Sequence, residues 1–491
     1  MRYSIFFLTG LLLILICSWY SIGYYHWDEQ AQILEFANFK LGKTNPSHLT
    51  WEYGHGARAA LLPYIIFWFI RALNLFGIYN PFTITVFIRV VTGTLAWFTN
   101  YKMCMHILST YQTELGKKLL VLLCTILWFV PFLSVRFTPE NISGICLIWG
   151  IYILLKRGTS ANINNMMVGI LFGICIFIRL QMLFALIGVI AWLLFYKKIK
   201  LFNFTILCLF VLVSMALNVV ADSLFYGHLL FTPYNYFDVN ILQHAADGYG
   251  ISPWWRYIFE FIIKAVPPIS LGLLLLFFIG LWKNKNSVFV WAIVPFLIAH
   301  FAISHKELRF LFPVLLLFVY ICSSELDRVI NKSGLPRWLK TSLIFCFVFN
   351  APILLYRTLS PAEINVSYNR FLYNEIRTKG TPLVLLNKGL PIGQFADSTS
   401  FYESPNITPI VVEDSTQLNS YLAKTKAGLV YYIGNKLTDD SLTVNGYRKS
   451  IVYCYYPDWI LKYNINNWEE RTGILCVYKL IRNISPVNSN L

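Results

Sequence analysis

Apolar runs separated by short polar stretches fill the first 356 residues. They lie near 4–22, 60–76, 82–105, 119–134, 141–155, 166–196, 201–221, 259–281, 287–304, 308–324 and 341–356. A membrane-crossing helix needs about 20 mainly apolar residues, so most of these runs predict spans. The 166–196 run is too long for one short span, and Arg179-Leu180-Gln181 interrupts it, which predicts two helices. The 60–76 run follows Arg58 and contains Pro63 and Arg71, and it is placed in the interface as an amphipathic element. Eleven spans result, with the N-terminus inside. With that count the basic residues fall on one, cytoplasmic side: Arg2, Lys102, Lys117-Lys118, Lys156-Arg157, Lys197-Lys198, Lys200, Lys283, Lys285, Arg328, Lys332, Arg337 and Lys340. The first span has no clear small-residue cleavage site before His26 and is expected to be retained.

After Tyr356 the pattern changes. From Arg357 to Leu491 no run is long enough to span, and β-rich pieces at 382–386, 408–412 and 427–433 alternate with Asn- and Ser-rich turns. The expected division is a membrane domain over 1–356, with a first extracytoplasmic loop at 23–81, and a water-facing α/β domain over 357–491. Asn365, Asn406 and Asn483 open Asn-x-Ser/Thr sequons, which matter only in a secretory pathway. No internal repeat or low-complexity tract is found.

Composition fixes the class. Of 491 residues 57% are hydrophobic and 13% charged, with a mean hydropathy of +0.57, more apolar sequence than one soluble core can bury. The net charge of +16 sits between apolar runs rather than on one face, so it marks topology and excludes nucleic acid as the expected partner. The ten cysteines are scattered, mostly within apolar runs, without CxxC or zinc-type Cys/His spacing, and read as small core residues.

The candidate chemistry gathers on the outer face. His26-Trp27-Asp28-Glu29 follows the first span, and its adjacent carboxylates can supply a general base, or Asp28 can simply cap a helix over 31–41. Trp51, Glu52 and Arg58 offer aromatic and polar groups that suit sugar rings, or an interfacial belt. Arg136, Glu140, Arg179 and Gln181 stand at span ends, where an arginine snorkels or grips phosphate. Asp222, Tyr226, Asn235 and Asn240 lie in an aromatic-rich loop. Ser304-His305-Lys306-Glu307-Leu308-Arg309-Phe310 is the densest ionisable cluster, and His305, Lys306 and Arg309 are cations suited to a departing phosphate, with Glu307 to orient one of them. No acidic triad suggests a metal ion.

In order along the chain, these motifs resemble glycosyltransferase family 22, the membrane mannosyltransferases of lumenal N-glycan assembly and GPI-anchor synthesis. The resemblance covers about residues 20–320 and is most specific at 304–310 with Pro313; Trp27 stands where the family usually has Pro. The segment Asp397-Ser398-Thr399-Ser400-Phe401-Tyr402 is faintly similar to the GPI third-mannose enzymes. The resemblance implies a mainly α, polytopic GT-C fold with about 11 spans, and inverting transfer of mannose from a polyprenyl (dolichyl-type) phosphate to a glycan or lipid-linked glycan. It implies Asp28 as base with Glu29 beside it, His305, Lys306, Arg309 and Arg179 on the donor phosphate, and no cofactor. Another sugar, or a transporter or flippase of polyprenyl-linked glycans, is the alternative. A bacterial cytoplasmic membrane is the favoured location, with the endoplasmic reticulum if the source is eukaryotic.

Overall fold

The computed structural model describes residues 3–379, 383–387, 400–402, 410–412, 414–425 and 428–483. The chain divides into two compact units: 1–21, 50–79 and 83–360 form the first, and 22–49, 80–82 and 361–491 the second.

The first unit is helical: α1 (Ser4–Tyr20), α2 (Leu61–Leu75), α3 (Pro81–Ile107), α4 (Glu114–Ile126), α5 (Pro139–Arg157), α6 (Asn162–Ile178), α7 (Met182–Ala191), α8 (Leu201–Tyr226), α9 (Ile269–Lys283), α10 (Val288–Ala302), α11 (Leu315–Ser333) and α12 (Arg337–Leu359). Among the described residues, four helical stretches are each long and apolar enough to cross a membrane: Pro81–Thr110, Leu201–Tyr226, Leu308–Ser333 and Arg337–Glu375. Helices α9 and α10 add a fifth crossing if the pair, bent by 113°, counts as one. Four further apolar helices are of 10–17 residues, and at 1.5 Å per residue these rise at most about 26 Å, short of a typical ~30 Å hydrocarbon core. Side chains such as Leu212, Leu217 and Val220 on α8 and Phe347 and Val348 on α12 are exposed, as lipid-facing residues must be. The predicted break at Arg179 is present between α6 and α7. The expected 259–281 span is instead two helices, Arg256–Lys264 and α9, parted at Pro267 and Pro268, which lack the N–H a continuous helix needs. Helix α2 buries Leu62, Pro63, Ile66 and Ile70 and exposes Ile65 and Trp68.

Close backbone contacts tie this unit together. At Gly188 on α7 an added Cβ would lie 1.8 Å from the Trp291 carbonyl oxygen on α10, so only glycine permits that approach. Phe172, Leu186, Phe296, Leu317 and Tyr320 lie in the shared core.

The second unit holds a five-stranded sheet of β1 (Leu383–Asn387), β2 (Ile410–Val412), β3 (Leu429–Asn435), β4 (Tyr447–Cys454) and β5 (Leu475–Arg482) in the order β2-β1-β3-β5-β4. β1 runs parallel to β2 and β3, while β5 runs antiparallel to β3 and β4. Alternate residues of β3 face opposite sides: Val430 and Tyr432 pack with Leu418 and Leu422 of α14 (Ser415–Thr425), and Tyr431 and Ile433 with Tyr368 and Leu372 of α13 (Ile364–Lys379). The expected strands at 382–386, 408–412 and 427–433 correspond to β1, β2 and β3; Asn406 and residues 396–399 lie outside the described residues. Cys454 and Cys476, paired across β4 and β5, form a disulfide, which corrects the expectation that the cysteines are core thiols.

The division also departs from a cut after residue 356. Residues 22–49 of the first loop pack on the C-terminal part: Ala362 and Glu363 N–H donate to the Ile22 carbonyl, and the Phe82 ring meets Tyr402 at 5.2 Å. Buried Glu35 joins the two stretches, accepting from Gln30 Nε2 at 2.6 Å, Thr44 Oγ1 at 2.8 Å and the Phe401 N–H at 3.0 Å. Burial outweighs those donors and lifts the Glu35 carboxyl from 4.5 to about 7. A carboxyl raised on folding favours the folded state below its unfolded value and loses that advantage as pH rises to the folded one. Stability of this unit is therefore expected to fall by on the order of 3 kcal/mol between about pH 4.5 and 7. Thermal unfolding of wild type and Glu35→Gln checks this; equal pH dependence in both rejects it.

Candidate functional site

Four segments of the first unit meet at one cluster. Thr138 caps α5 by accepting from the Asn141 N–H at 3.2 Å, and Pro139 occupies the first helical turn, where a missing N–H is harmless. Glu140 is thereby set in that turn, 2% exposed. Gly144, one turn on, lies so close to the chain at Pro313 that an added Cβ would meet the Pro313 carbonyl oxygen at 2.7 Å. That approach brings Glu140 against the 3₁₀ segment Leu308–Val314.

Arg179 sits in extended backbone between α6 and α7. Its Nη1 lies 3.0 Å from Glu140 Oε1 and its Cζ 4.9 Å from the Phe310 ring centroid. Arg309 Nη1 approaches the same carboxylate oxygen at 3.9 Å and grips Glu307 at two points, 2.6 Å and 3.2 Å. Glu140 thus bridges two arginines. Buried Lys306 donates to the Ile303 carbonyl and lies over the Tyr257 ring, and burial holds its ammonium below its ordinary pKa. Arg179, Lys306 and Arg309 set three cations beside the two carboxylates of Glu140 and Glu307, a surplus of positive charge within this group. Arg179 Nε and Nη2 are buried without a hydrogen-bond partner among the described residues. Donors left open in this way suit an anion with several acceptor oxygens.

His305 departs from its expected part. Its Nδ1 faces the Gly250 carbonyl at 2.8 Å and its Nε2 faces Glu307 Oε1 at 3.0 Å, so both nitrogens are taken up by acceptors of the protein. The Ser252 N–H donates to the Ser304 carbonyl at 2.9 Å and the Ser304 hydroxyl donates to Asp247. The Ser304 and His244 contacts hold Asp247 below the usual carboxylate range. His305 therefore straps the 247–252 loop to the cluster.

A second group adjoins Arg179 through Gln181, whose Nε2 donates to Tyr236 Oη at 2.7 Å. Arg58 lies 5.3 Å over the Tyr236 ring and 3.4 Å from Glu52. Tyr226 donates to the Arg58 carbonyl, Asn235 to those of His55 and Gly56, and Trp51 Nε1 to Tyr249 Oη. Of the expected substrate-binding residues, Trp51, Glu52, Arg58, Glu140, Tyr226 and Asn235 are thus drawn into linked contacts. Three others are engaged by structural partners outside this group or on their own turn. Asp222 is fully buried and accepts from the Ala60 N–H and Thr232; Asn240 bonds back to the Tyr236 carbonyl. Arg136 turns away to the Ser21 carbonyl and hydroxyl, where with Arg89 on Ser18 it complements the negative end of α1.

His26, Asp28 and Glu29 belong to the second unit. Asp28 precedes a π-helical turn, Glu29–Leu34, without a capping bond from its side chain, so the helix-cap alternative is not what the carboxylate does. His26 Nδ1 lies 3.6 Å from Asp28 Oδ1, and Glu29 accepts from the Tyr25 N–H at 3.1 Å. Such π turns often mark functional positions. Among the described residues no group of three or more His, Cys, Asp or Glu side chains is placed to hold a metal. Sequence reasoning passed over His300, whose imidazole is buried next to Arg179 and Lys306; its one signal is a lone histidine in an apolar run.

The profile of the Alg9-like mannosyltransferase family matches residues 4–374. GPI alpha-1,2-mannosyltransferase 3 of Xenopus laevis is 26% identical over 344 residues, 68% of this chain and 60% of that protein. GPI mannosyltransferase 3 of Yarrowia lipolytica is 27% identical over 304 residues, 60% and 57% of the two chains. The chain thus matches about 60% of these relatives' length. Crystal structures of ArnT from Cupriavidus metallidurans, bound to undecaprenyl phosphate and in the apo state, superpose with TM-scores of 0.52 and 0.51 at 12% identity. The first covers 100% of this chain and 99% of that one, so the two share a fold. A match over residues 4–374 is decisive for kinship, and the chain belongs to the Alg9-like mannosyltransferase family.

Proposed function

We propose that this protein is an inverting mannosyltransferase that moves mannose from a polyprenyl-type phosphate to a glycan or lipid-linked glycan on the extracytoplasmic face. The observation that carries the proposal is the Glu140-bridged arginine pair with open Arg179 donors beside Lys306. Fixed cations of this kind stabilise charge that develops on a leaving phosphate without a metal. In the proposed reaction Asp28 takes the proton of an acceptor hydroxyl as its oxygen attacks the anomeric carbon. The bond from that carbon to the phosphate oxygen breaks, and its electron pair leaves on the phosphate. Arg179, Lys306 and Arg309 hold that phosphate, His305 positions the loop beside it, and Glu29 orients the Asp28 turn.

Support for the outer face comes from the Cys454–Cys476 disulfide, since such bonds persist in oxidising compartments. A bacterial periplasm and an endoplasmic reticulum lumen both meet that condition. The eleven-span topology expected from the sequence would place the second unit on that face. The names of the relatives, GPI alpha-1,2-mannosyltransferase 3 among them, favour an α-1,2 linkage to a mannose-bearing glycolipid. The test is transfer of labelled mannose from polyprenyl-phosphate-mannose in membranes that carry the protein. Time-dependent labelling of a glycolipid is expected; labelling only from another lipid-phosphate sugar would change the donor, and none from any donor would reject the transferase.

A further inference from the structure

We infer that His300 contacts the donor phosphate through Nε2; the inference rests on the transferase reading above. His300 lies in the last turn of α10 and is 1% exposed. Its Nδ1 is 2.8 Å from the Phe296 carbonyl one turn back, and because a carbonyl oxygen only accepts, Nδ1 carries the hydrogen. The ring packs on Phe296 with centroids 4.0 Å apart, which fixes its orientation. Nε2 is then buried and has no hydrogen-bond partner among the described residues.

Arg179 and Lys306 are the charged groups that act on His300, and Arg179 itself keeps Nε and Nη2 open. Glu140 is engaged by Arg179 and Arg309, Glu307 by Arg309 and His305. Tyr257 lies under the Lys306 ammonium and against the Glu307 backbone, and Glu260 acts on it from the same helix. Arg179 and His300 thus hold three buried nitrogens without a hydrogen-bond partner among the described residues. A ligand that meets them together needs several acceptor oxygens and negative charge, as a lipid-linked phosphate has. A fully ionised phosphate presents only acceptors, so His300 must bring an N–H at Nε2 while Nδ1–H stays on Phe296. Binding of the phosphate is then coupled to uptake of one proton from water by His300, and affinity falls as pH rises.

The test uses full-length detergent-solubilised protein with undecaprenyl phosphate as the probe, its binding measured directly across neutral pH. Wild-type affinity is expected to weaken as pH rises, by at most about tenfold per unit for one linked proton. His300→Ala is expected to lose at least about tenfold in affinity, the weight of one hydrogen bond to a charged group. His300→Gln offers an amide N–H that does not titrate, so it should recover much of the binding with a pH profile that differs from wild type and keeps only the second ionisation of the phosphate monoester, at about pH 6. Wild-type affinity in a folded His300→Ala, or a wild-type pH profile in His300→Gln, would overturn the inference. Failure of mannose transfer in the wild type, with lipid-phosphate binding still dependent on His300, would instead reject the transferase and leave this contact in place.

Discussion

Asp28→Asn is expected to lower mannose transfer by about 10²–10⁴-fold while leaving binding of the lipid-phosphate donor unchanged, the range that loss of a general base produces. The substitution keeps the side-chain shape and removes only the ability to take a proton. Thermal unfolding of the variant alongside the rate separates any loss of the Asp28 contacts, such as that to His26, from loss of the base. Glu29 is the informative comparison, since it is 8% exposed and already accepts from the Tyr25 N–H. Glu29→Gln should keep that bond and retain much of the rate. Labelled transfer at saturating donor separates the two variants. A wild-type rate in Asp28→Asn would remove it from the chemistry, and a larger loss in Glu29→Gln would give the base role to Glu29.

What the sequence disclosed and what it concealed follow a physical line. Charges inside apolar stretches are costly enough to be informative, and so Arg179 and the 304–310 cluster stand out in the sequence itself. The Thr138 cap and the first-turn Pro139 are local signals of the same legibility, although attention to the charges alone passes over them. The partner of each side chain was not legible, since the contact is made across the fold. His305 and Arg309 look alike as cations in one heptapeptide, yet Gly250 occupies one nitrogen of His305 while Glu140 draws Arg309 towards Arg179. Arg136 and Glu140 are four residues apart and turn to different helices. Cys454 and Cys476 have no local pairing signal, because only the register of β4 on β5 sets them opposite. Residues 22–49 looked like a membrane-domain loop, and only pairing with residues near 362 and 401 assigns them to the second unit.

Arg179→Met is expected to abolish transfer and also to destabilise the protein, and the two effects can be separated. With Arg179 gone, Glu140 stays 2% exposed and loses its 3.0 Å partner, with Arg309 still 3.9 Å away. Breaking one side of a buried ion pair costs about 3–5 kcal/mol, because the remaining charge is uncompensated. Replacing both partners by apolar groups of similar volume removes that penalty, so Arg179→Met with Glu140→Leu should regain most of the thermal stability. Activity should not return with it. The open Nε and Nη2 of Arg179 are proposed to meet charge on the departing phosphate, and losing one such donor costs about 10²–10³-fold in turnover. Unfolding temperature and labelled-mannose transfer, measured on the single and double variants, decide the matter. A stable but inactive double variant assigns Arg179 to the phosphate. A double variant that is both stable and active would reduce Arg179 and Glu140 to a structural pair, and the surplus positive charge would then fall to Lys306 and Arg309 alone.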